Sequence, residues 1–454
     1  MANQPKAAPT FSIEQLDALR SRLRSSGELA GVTSEVTGAT FSGRHRRSTA
    51  TLRKNRRSRA DEGESIMTLT VDSQGILRWH PGSVAATMRQ GGRRATRRGP
   101  AVDGQMIVDQ YTFDTVGLSD VYRYLSWFDE KLTPKQGLWL CQQGQLVALP
   151  RDRVSWNRVL LIIHGTFSNC QNCVRSLAKK VPGANESFLD WANNHYDAVL
   201  CFNHATLARS PLINALQLES LLPDAQQFDI VCHSRGGLVS RWWNEVACRH
   251  PERRGKVIYV GSPMSGTSLA APNRVREAID YFTNIGHVVD QGLDVASMFI
   301  PYLSVAQFIM SLVCSATSLV SKTPIADAVI ALIPGLDAQS RVLNNYELVE
   351  LRNRQPLVEN YYFVTSSFRP KDVGWEFWKY FTEASTRAKS LVTGKIFPGP
   401  HDLVVDTSSM LDLGGKNITI AKSHQYNFGV NDRVHHTNYF DFRETIDFMT
   451  KVLR

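Results

Sequence analysis

The chain has 454 residues and a formal net charge of +10, with 43% hydrophobic and 21% charged residues. This composition excludes a wholly disordered or fibrous chain, and the length exceeds that of one typical domain. The positive charge is local, because residues 43–99 contain 14 Lys plus Arg against 4 Asp plus Glu, which leaves 38 of each sign elsewhere. A nucleic-acid-binding domain is therefore not favoured for the chain as a whole.

The first 64 residues have the composition of a tether. Apolar side chains recur at helical spacing over residues 11–24, and polar residues follow through about residue 64. The basic clusters at 44–47 and 53–59 are flanked by Ser, Thr and Ala with almost no aromatic residue. We predict that residues 1–64 form a basic, flexible arm. Docking of this arm onto anionic lipid or RNA is the alternative.

A small β-rich region is predicted for residues 65–150. Short alternating runs at 67–71, 75–79 and 138–149 are separated by Gly and Asp, which is typical of short strands. The pattern indicates no particular role for this region.

The cysteine content bears on the compartment. Seven cysteines are an odd number, and the first 15 residues contain no apolar segment that could direct secretion, so a reduced, cytoplasmic location is predicted. Cys170 and Cys173 form a CxxC pair, but no second pair at zinc-finger spacing accompanies them. We expect these two thiols to pack in a helix, with a redox or metal site as the alternative.

Residues 151–454 have the pattern of an α/β domain. Apolar runs of strand length alternate with helical segments and each is followed by polar or small residues; the runs are 159–165, 198–204, 228–234, 256–262 and 361–367. This alternation predicts a mostly parallel sheet covered by helices on both faces. Catalytic residues would lie at the carboxyl ends of its strands.

Ser234 lies at a sharp turn between a strand and an amphipathic helix, within the sequence CHSRGG. Such a turn holds a serine hydroxyl exposed beside a base, which makes it a nucleophile. Gly236 suits the tight turn, and Gly237 suits close packing of the helix against the sheet. Two residues before the serine, Cys232 replaces the usual glycine. We predict that Ser234 is the nucleophile.

Two backbone amides are expected to stabilise the oxyanion. The first apolar run ends in HGTFSN, where Gly165 allows the following amides to face the site. The helix that begins near Arg235 directs its free amides toward Ser234. We therefore predict an oxyanion hole formed by the backbone N–H groups of Thr166 and Arg235.

Three later segments resemble the lipase and esterase branch of the α/β-hydrolase superfamily. The segment 399–410, GPHDLVVDTSSM, resembles its acid loop D-G-x-V-P-x-S-S/A. Residues 261–270, GSPMSGTSLA, resemble its GSPxxGT loop, and residues 340–345 resemble its S-x-x-L-x-x-L segment. The resemblance covers roughly residues 155–454 and implies an α/β-hydrolase fold with serine-hydrolase chemistry.

The resemblance also implies the acid and the base. Asp402 matches the acid, while Asp406 stands where proline is usual and stays an alternative acid. The base is expected in the C-terminal loop, where the form H-x-x-Y-F resembles residues 436–440, so we choose His436 and keep His435 as the alternative. The order Ser, Asp, His is that of this fold, and the chemistry requires no metal or organic cofactor.

An uncharged stretch of 27 residues lies between Asp294 and Lys322. Pro301 interrupts it and it joins two core strands, so we predict a lid at about 285–335 rather than a membrane span. Its apolar face would bind lipid or an acyl chain, or pack on the core, and peripheral contact with a membrane is a further expectation.

The expected activity is hydrolysis of carboxylic esters with lipid or other apolar acyl groups. Amidase, peptidase or thioesterase activity on the same three residues, and a non-catalytic binding module, are the alternatives. Nucleic acid is the least favoured partner.

Overall fold

A computed structural model describes a defined part of the chain. The described residues are 21, 64–71, 77–81, 101–102, 105–114, 121–150, 155–270, 278–281, 309, 333–341, 345–369, 397, 399–415 and 418–454. The predicted arm, apart from residues 21 and 64, and most of the predicted lid lie outside them. The chain divides into two compact units, one of residues 1–121 and 279–329 and the other of residues 122–278 and 330–454.

The first unit contains a four-stranded antiparallel sheet in the order β2-β1-β4-β3. Its strands are β1 (Glu64–Val71), β2 (Leu77–Pro81), β3 (Ala101–Val102) and β4 (Gln105–Asp114). Leu69 on β1 and Leu77 on β2 are fully buried. The Trp79 N–H donates to Asp280 Oδ1 at 3.1 Å, so β2 is hydrogen-bonded to the later segment of the same unit.

The second unit is built on an eight-stranded sheet in the order β12-β11-β10-β9-β7-β8-β5-β6. Its strands are β5 (Gly137–Gln142), β6 (Gln145–Val147), β7 (Trp156–Ile163), β8 (Ala198–Asn203), β9 (Ala225–His233), β10 (Arg254–Val260), β11 (Tyr361–Phe368) and β12 (Gln425–Asn431). The six strands from β7 to β12 are mutually parallel, and β5 is antiparallel to both of its neighbours, β8 and β6. The five predicted strands are present, and β12 is an additional one.

The structure differs from the predicted boundary at residue 150. The hairpin of β5 and β6 pairs with β8, with Leu140 opposite Leu200, and so belongs to the large sheet. The predicted region 65–150 is therefore split between the two units. Alternation alone indicates a strand, but the partner of a strand is decided by tertiary packing.

Helices cover this sheet on both faces. They are α1 (Val121–Leu132), α2 (Cys170–Leu177), α3 (Phe188–His195), α4 (Pro211–Leu221), α5 (Gly236–Trp242), α6 (Pro334–Asp337), α7 (Tyr346–Asn353), α8 (Thr407–Met410) and α9 (Arg443–Leu453). Asn169, Ser187 and Ser210 cap the first turns of α2, α3 and α4, because each side chain accepts a backbone N–H there.

Strand β7 shows why the predicted strands of the large sheet are apolar at every position. Val159, Leu161 and Ile163 lie in the core on one face of the sheet, and Leu160 and Ile162 lie in the core on the other face. All five are at most 2% exposed, since helices cover both faces. β7 lies between β8 and β9, so the strand order reverses at β7. In open parallel sheets, ligands bind at the carboxyl ends of the strands where the order reverses.

The structure differs from the expectation that Cys170 and Cys173 are both thiols packed in a helix. Cys170 is disulfide-bonded to Cys201 of β8, and only Cys173 of the CxxC pair is a free, buried thiol. Sequence spacing could not show this bridge, because Cys170 and Cys201 are 31 residues apart and meet only in the fold. Within the described ranges, no helix has the length and apolar character of a membrane span.

Candidate active site

The strand-to-helix turn after β9 holds Ser234 in a strained backbone conformation. Its φ is +54°, in the left-handed region that side chains with a Cβ rarely adopt. The turn is held by hydrogen bonds from the Ser234 N–H to the Val260 carbonyl and from the Gly237 N–H to the Ser234 carbonyl, both at 2.9 Å. A Cβ on Gly236 would lie 2.4 Å from the Ile163 carbonyl oxygen, so this position requires glycine.

Three predicted residues meet at this turn. His436 Nε2 lies 2.9 Å from Ser234 Oγ, and His436 Nδ1 lies 2.8 Å from Asp402 Oδ2. The three side chains come from separate loops after β9, after β11 and after β12. All are buried, with exposed fractions of 5% for Ser234, 1% for His436 and 0% for Asp402. The arrangement links a hydroxyl, an imidazole and a carboxylate in series.

The Asp402 carboxylate is held in its charged form. Its Oδ1 accepts the N–H groups of Val404 and Val405 at 3.1 and 2.8 Å. Burial raises the pKa of Asp402, but His436 and these two N–H groups outweigh burial, so the pKa lies below its ordinary value of 3.8. The His436 N–H also donates to the Asp402 carbonyl at 2.8 Å, which connects the base loop to the acid loop.

The two alternative residues have other partners. Asp406 accepts hydrogen bonds from the Ser268 N–H and hydroxyl, both at 3.0 Å, and burial raises its pKa. His435 Nδ1 lies 3.1 Å from the Thr437 hydroxyl. Among the described contacts His435 does not reach Ser234 and Asp406 does not reach His436. The structure instead places His436 beside Ser234 and Asp402 beside His436.

The predicted oxyanion donors flank the nucleophile. A Cβ on Gly165 would lie 2.6 Å from the Ser234 Cβ, so the chain carrying the Thr166 amide passes directly beside the serine. The Thr166 hydroxyl donates to Gln339 Oε1 at 3.0 Å, which anchors this loop. In the part of the chain that the structure describes, the amides of Thr166 and Arg235 donate to no protein acceptor. Both N–H groups are thus available to an oxyanion.

The Arg235 side chain turns inward. It is fully buried, and its Nη2 donates to the Arg209 carbonyl at 2.5 Å. Burial lowers the pKa of Arg235 to about 10, while Asp129 and Glu347 partly compensate its charge. The backbone N–H, and not the side chain, is therefore the part of Arg235 that is predicted to stabilise an oxyanion.

Four imidazoles lie near the three residues, and we call them the histidine group: His164, His401 and His435, which are buried, and His233, which is half-buried. Burial lowers the pKa of His233 to about 3 and that of each of the others to about 4, so all four are neutral at neutral pH. His233 Nε2 donates to the His436 carbonyl at 2.7 Å, which connects the nucleophile turn to the base loop. His204 is also buried, and its ring stacks on His164 with centroids 4.0 Å apart.

Asp129 on α1 is a supporting residue that sequence reasoning missed. Its carboxylate accepts the N–H groups of Thr206, Leu207 and Ala208 and so holds this loop in place. The next residue in the loop, Arg209, accepts the hydrogen bond from Arg235 through its carbonyl. Burial raises its pKa, and these N–H groups oppose the increase. No local pattern could show this role, since the partners are backbone amides 77 to 79 residues further along the chain.

Within the described ranges, no group of three or more His, Cys, Asp or Glu side chains could hold a metal ion. The described chemistry at this edge of the sheet is that of the serine, the imidazole, the carboxylate and the backbone amides.

The strand order, the strained serine turn and the three loops that meet there define the α/β-hydrolase fold, as the sequence predicts. The chain belongs to the family described as a domain of unknown function (DUF7379), whose model matches residues 132–454. A comparison with curated proteins found no match.

Solved structures of hydrolases are similar at low identity. Lipase 1 from Pelosinus fermentans is 11% identical with a TM-score of 0.40, and the match covers 65% of this chain and 97% of that chain. EstA from Clostridium botulinum is 13% identical with a TM-score of 0.36, covering 75% and 98%. The Staphylococcus hyicus lipase is 9% identical with a TM-score of 0.34, covering 67% and 97%. These values are too low to transfer a substrate or a residue role.

Proposed function

We propose that this chain is a serine hydrolase that cleaves carboxylic esters through an acyl-enzyme on Ser234. The observation that carries the proposal is the continuous series Ser234 Oγ, His436 Nε2, His436 Nδ1 and Asp402 Oδ2, with separations of 2.9 and 2.8 Å. A strained turn that presents a serine to an imidazole, itself oriented by a carboxylate, activates the hydroxyl for nucleophilic attack.

The reaction follows from these contacts. His436 Nε2 takes the proton of Ser234 Oγ as the oxygen attacks the ester carbonyl carbon, and the carbonyl oxygen becomes an oxyanion. The amides of Thr166 and Arg235 stabilise that oxyanion. His436 then gives the proton to the leaving alkoxide, and the acyl group remains on Ser234. Water, deprotonated by the same imidazole, attacks the acyl-enzyme and releases the acid and the free serine.

Asp402 supports the imidazole in both half-reactions. Because its carboxylate accepts the Nδ1–H, Nε2 is left as the proton acceptor, and the negative charge stabilises the imidazolium. Its lowered pKa keeps it charged over the whole range in which an imidazole works as a base.

Labelling with a fluorophosphonate probe tests this proposal directly. We expect the purified full chain to be labelled on Ser234, as located by mass spectrometry, and expect Ser234→Ala to abolish labelling. Ser220→Ala is the matched control, since Ser220 is an exposed serine of α4 whose hydroxyl donates to the Gln217 carbonyl. Absence of labelling on folded wild-type protein, with and without detergent, would contradict an activated serine.

We further propose that the ester carries a lipid or other apolar acyl group. The support is the uncharged stretch between Asp294 and Lys322, of which Ile309 is the one described residue. A series of p-nitrophenyl esters of increasing acyl length tests it, with kcat/KM expected to rise with chain length. Preference for acetyl over longer groups, or faster cleavage of matched amides or thioesters, would favour another leaving group or a small acyl substrate.

A further inference from the structure

Tyr439 makes a hydrogen bond to the carboxylate of the candidate site that the mechanism above does not use. Its hydroxyl donates to Asp402 Oδ2 at 3.0 Å, and the same oxygen accepts His436 Nδ1–H at 2.8 Å. The other carboxylate oxygen is occupied by two backbone N–H groups. Tyr439 is 1% exposed, so both donors compete for one oxygen without water between them.

The phenol remains a donor at every pH relevant to the base. Burial raises the pKa of Tyr439 well above its ordinary value of 10, and the negative charge of Asp402 raises it further. Two donors on one carboxylate oxygen share its negative charge, so each hydrogen bond weakens the electrostatic attraction between that oxygen and the other donor. The Tyr439 hydroxyl thus withdraws part of the carboxylate charge that would otherwise act on His436.

The packing around the ring holds Tyr439 in this position. Gly261 has φ of +55°, and a Cβ there would lie 2.7 Å from Tyr439 Cε2 and 3.2 Å from Asp402 Oδ2. On other sides the hydroxyl lies 3.9 Å from Met410 Sδ, and the ring centroid lies 6.4 Å from that of His233. The close approach of backbone at Gly261 is therefore what admits the ring beside the carboxylate.

We propose that Tyr439 is a positioning residue that orients Asp402 and sets the base strength of His436. The inference rests on the proposed function, because the base has a task only if Ser234 is the nucleophile. Tyr439 acts through Asp402 and makes no described contact with Ser234.

The other ionisable groups that face this pair come from three elements. His233 is the last residue of β9, and its ring centroid lies 4.8 Å from that of His436. His401 precedes Asp402 in the loop after β11, and His435 precedes His436 in the loop after β12. Burial lowers the pKa of each of these three to between about 3 and about 4, so none changes charge above about pH 5. A shift of the pH profile in that range would therefore report the Asp402 and His436 pair.

Tyr439→Phe tests the inference and Tyr361→Phe is its matched control. Tyr361 is fully buried in the same unit, and its hydroxyl donates to Glu245 Oε1 at 2.9 Å, so the control removes the same kind of hydrogen bond away from Ser234. With a p-nitrophenyl ester we expect Tyr439→Phe to lower kcat about tenfold at constant KM. We expect the acid limb of its pH–rate profile to move about half a pH unit upward, because the carboxylate then acts on His436 alone. Tyr361→Phe should change neither quantity.

NMR titration of the His436 ring provides a readout that needs no turnover. His436→Ala identifies the ring signals, and the Tyr439→Phe titration should move upward by the same half unit, whereas the Tyr361→Phe titration should match wild type. An unchanged ring titration and an unchanged acid limb in Tyr439→Phe would overturn the inference, even if kcat falls. Absence of labelling in wild type would instead refute the proposed function, and the ring titration would still decide whether Tyr439 tunes the imidazole.

Discussion

Gly165→Ala is predicted to impair the nucleophile without altering any of the three residues in series. The new Cβ would lie 2.6 Å from the Ser234 Cβ, 3.1 Å from the His233 carbonyl oxygen and 3.2 Å from Ser234 Oγ. Ordinary contact begins at 3.4 Å, so the Ser234 Cβ or the Gly165 loop must move by about 0.8 Å. A misplacement of about 1 Å costs on the order of 100-fold in rate, so we expect fluorophosphonate labelling to slow about 100-fold.

The same crowding should lower the free energy of unfolding by about 1–3 kcal/mol, measured by urea denaturation. Gly399→Ala is the matched control, because among described residues a Cβ there would have no neighbour within 4 Å. It should label at the wild-type rate. The reasoning is refuted if Gly165→Ala labels as fast as Gly399→Ala, since the turn would then tolerate a Cβ beside Ser234.

Three further outcomes are expected. Asp402→Asn should slow labelling about 10⁴-fold, because an amide does not hold the required imidazole tautomer. Asp406→Asn should label at close to the wild-type rate. Equal losses in the two variants would contradict the choice of Asp402 as the acid. Cys170→Ser should lower the free energy of unfolding by about 3–4 kcal/mol, since the bridge to Cys201 spans 31 residues. If a reductant does not change the urea denaturation of the wild-type protein, that result would count against the bridge. The free energy of unfolding should fall as the pH drops from about 6.5 toward 4. In this range the histidines of the unfolded chain bind protons, whereas the histidine group of the folded chain, with pKa values of about 3 to 4, does not; a flat profile would contradict these lowered pKa values.

Local pattern was sufficient for the five adjacent strands β7 to β11 of the large sheet and for the turn at Ser234. Strands buried on both faces must be apolar at every position, as in Val159–Ile163, so they are visible as continuous runs. The turn at Ser234 requires small residues close in sequence, and Gly236 records that requirement. The mostly parallel sheet and the position of Ser234 could therefore be predicted from the residues, whereas the α/β-hydrolase fold, Asp402 and His436 were implied by the resemblance to lipases and esterases.

The pairing of β5 with β8, the bridge between Cys170 and Cys201 and the role of Asp129 could not be predicted. Each depends on groups far apart in the chain, such as Asp129 and the amide of Ala208. Periodicity describes how one segment is buried but not which segment lies against it.

The sequence by itself determined which strands end at the candidate site and which loops carry its polar residues. Only the tertiary structure decided between neighbouring residues of one loop, because a single peptide unit reverses the direction of a side chain. In the acid loop the backbone turns at Leu403, where φ is +89°. In the base loop the His436 N–H binds the Asp402 carbonyl, and this contact directs His436, rather than His435, toward Ser234. Tyr439 lies three residues after His436, and its hydroxyl donates to Asp402. This partner could be identified only from the tertiary structure, because the ring reaches the carboxylate only where Gly261 leaves space for it.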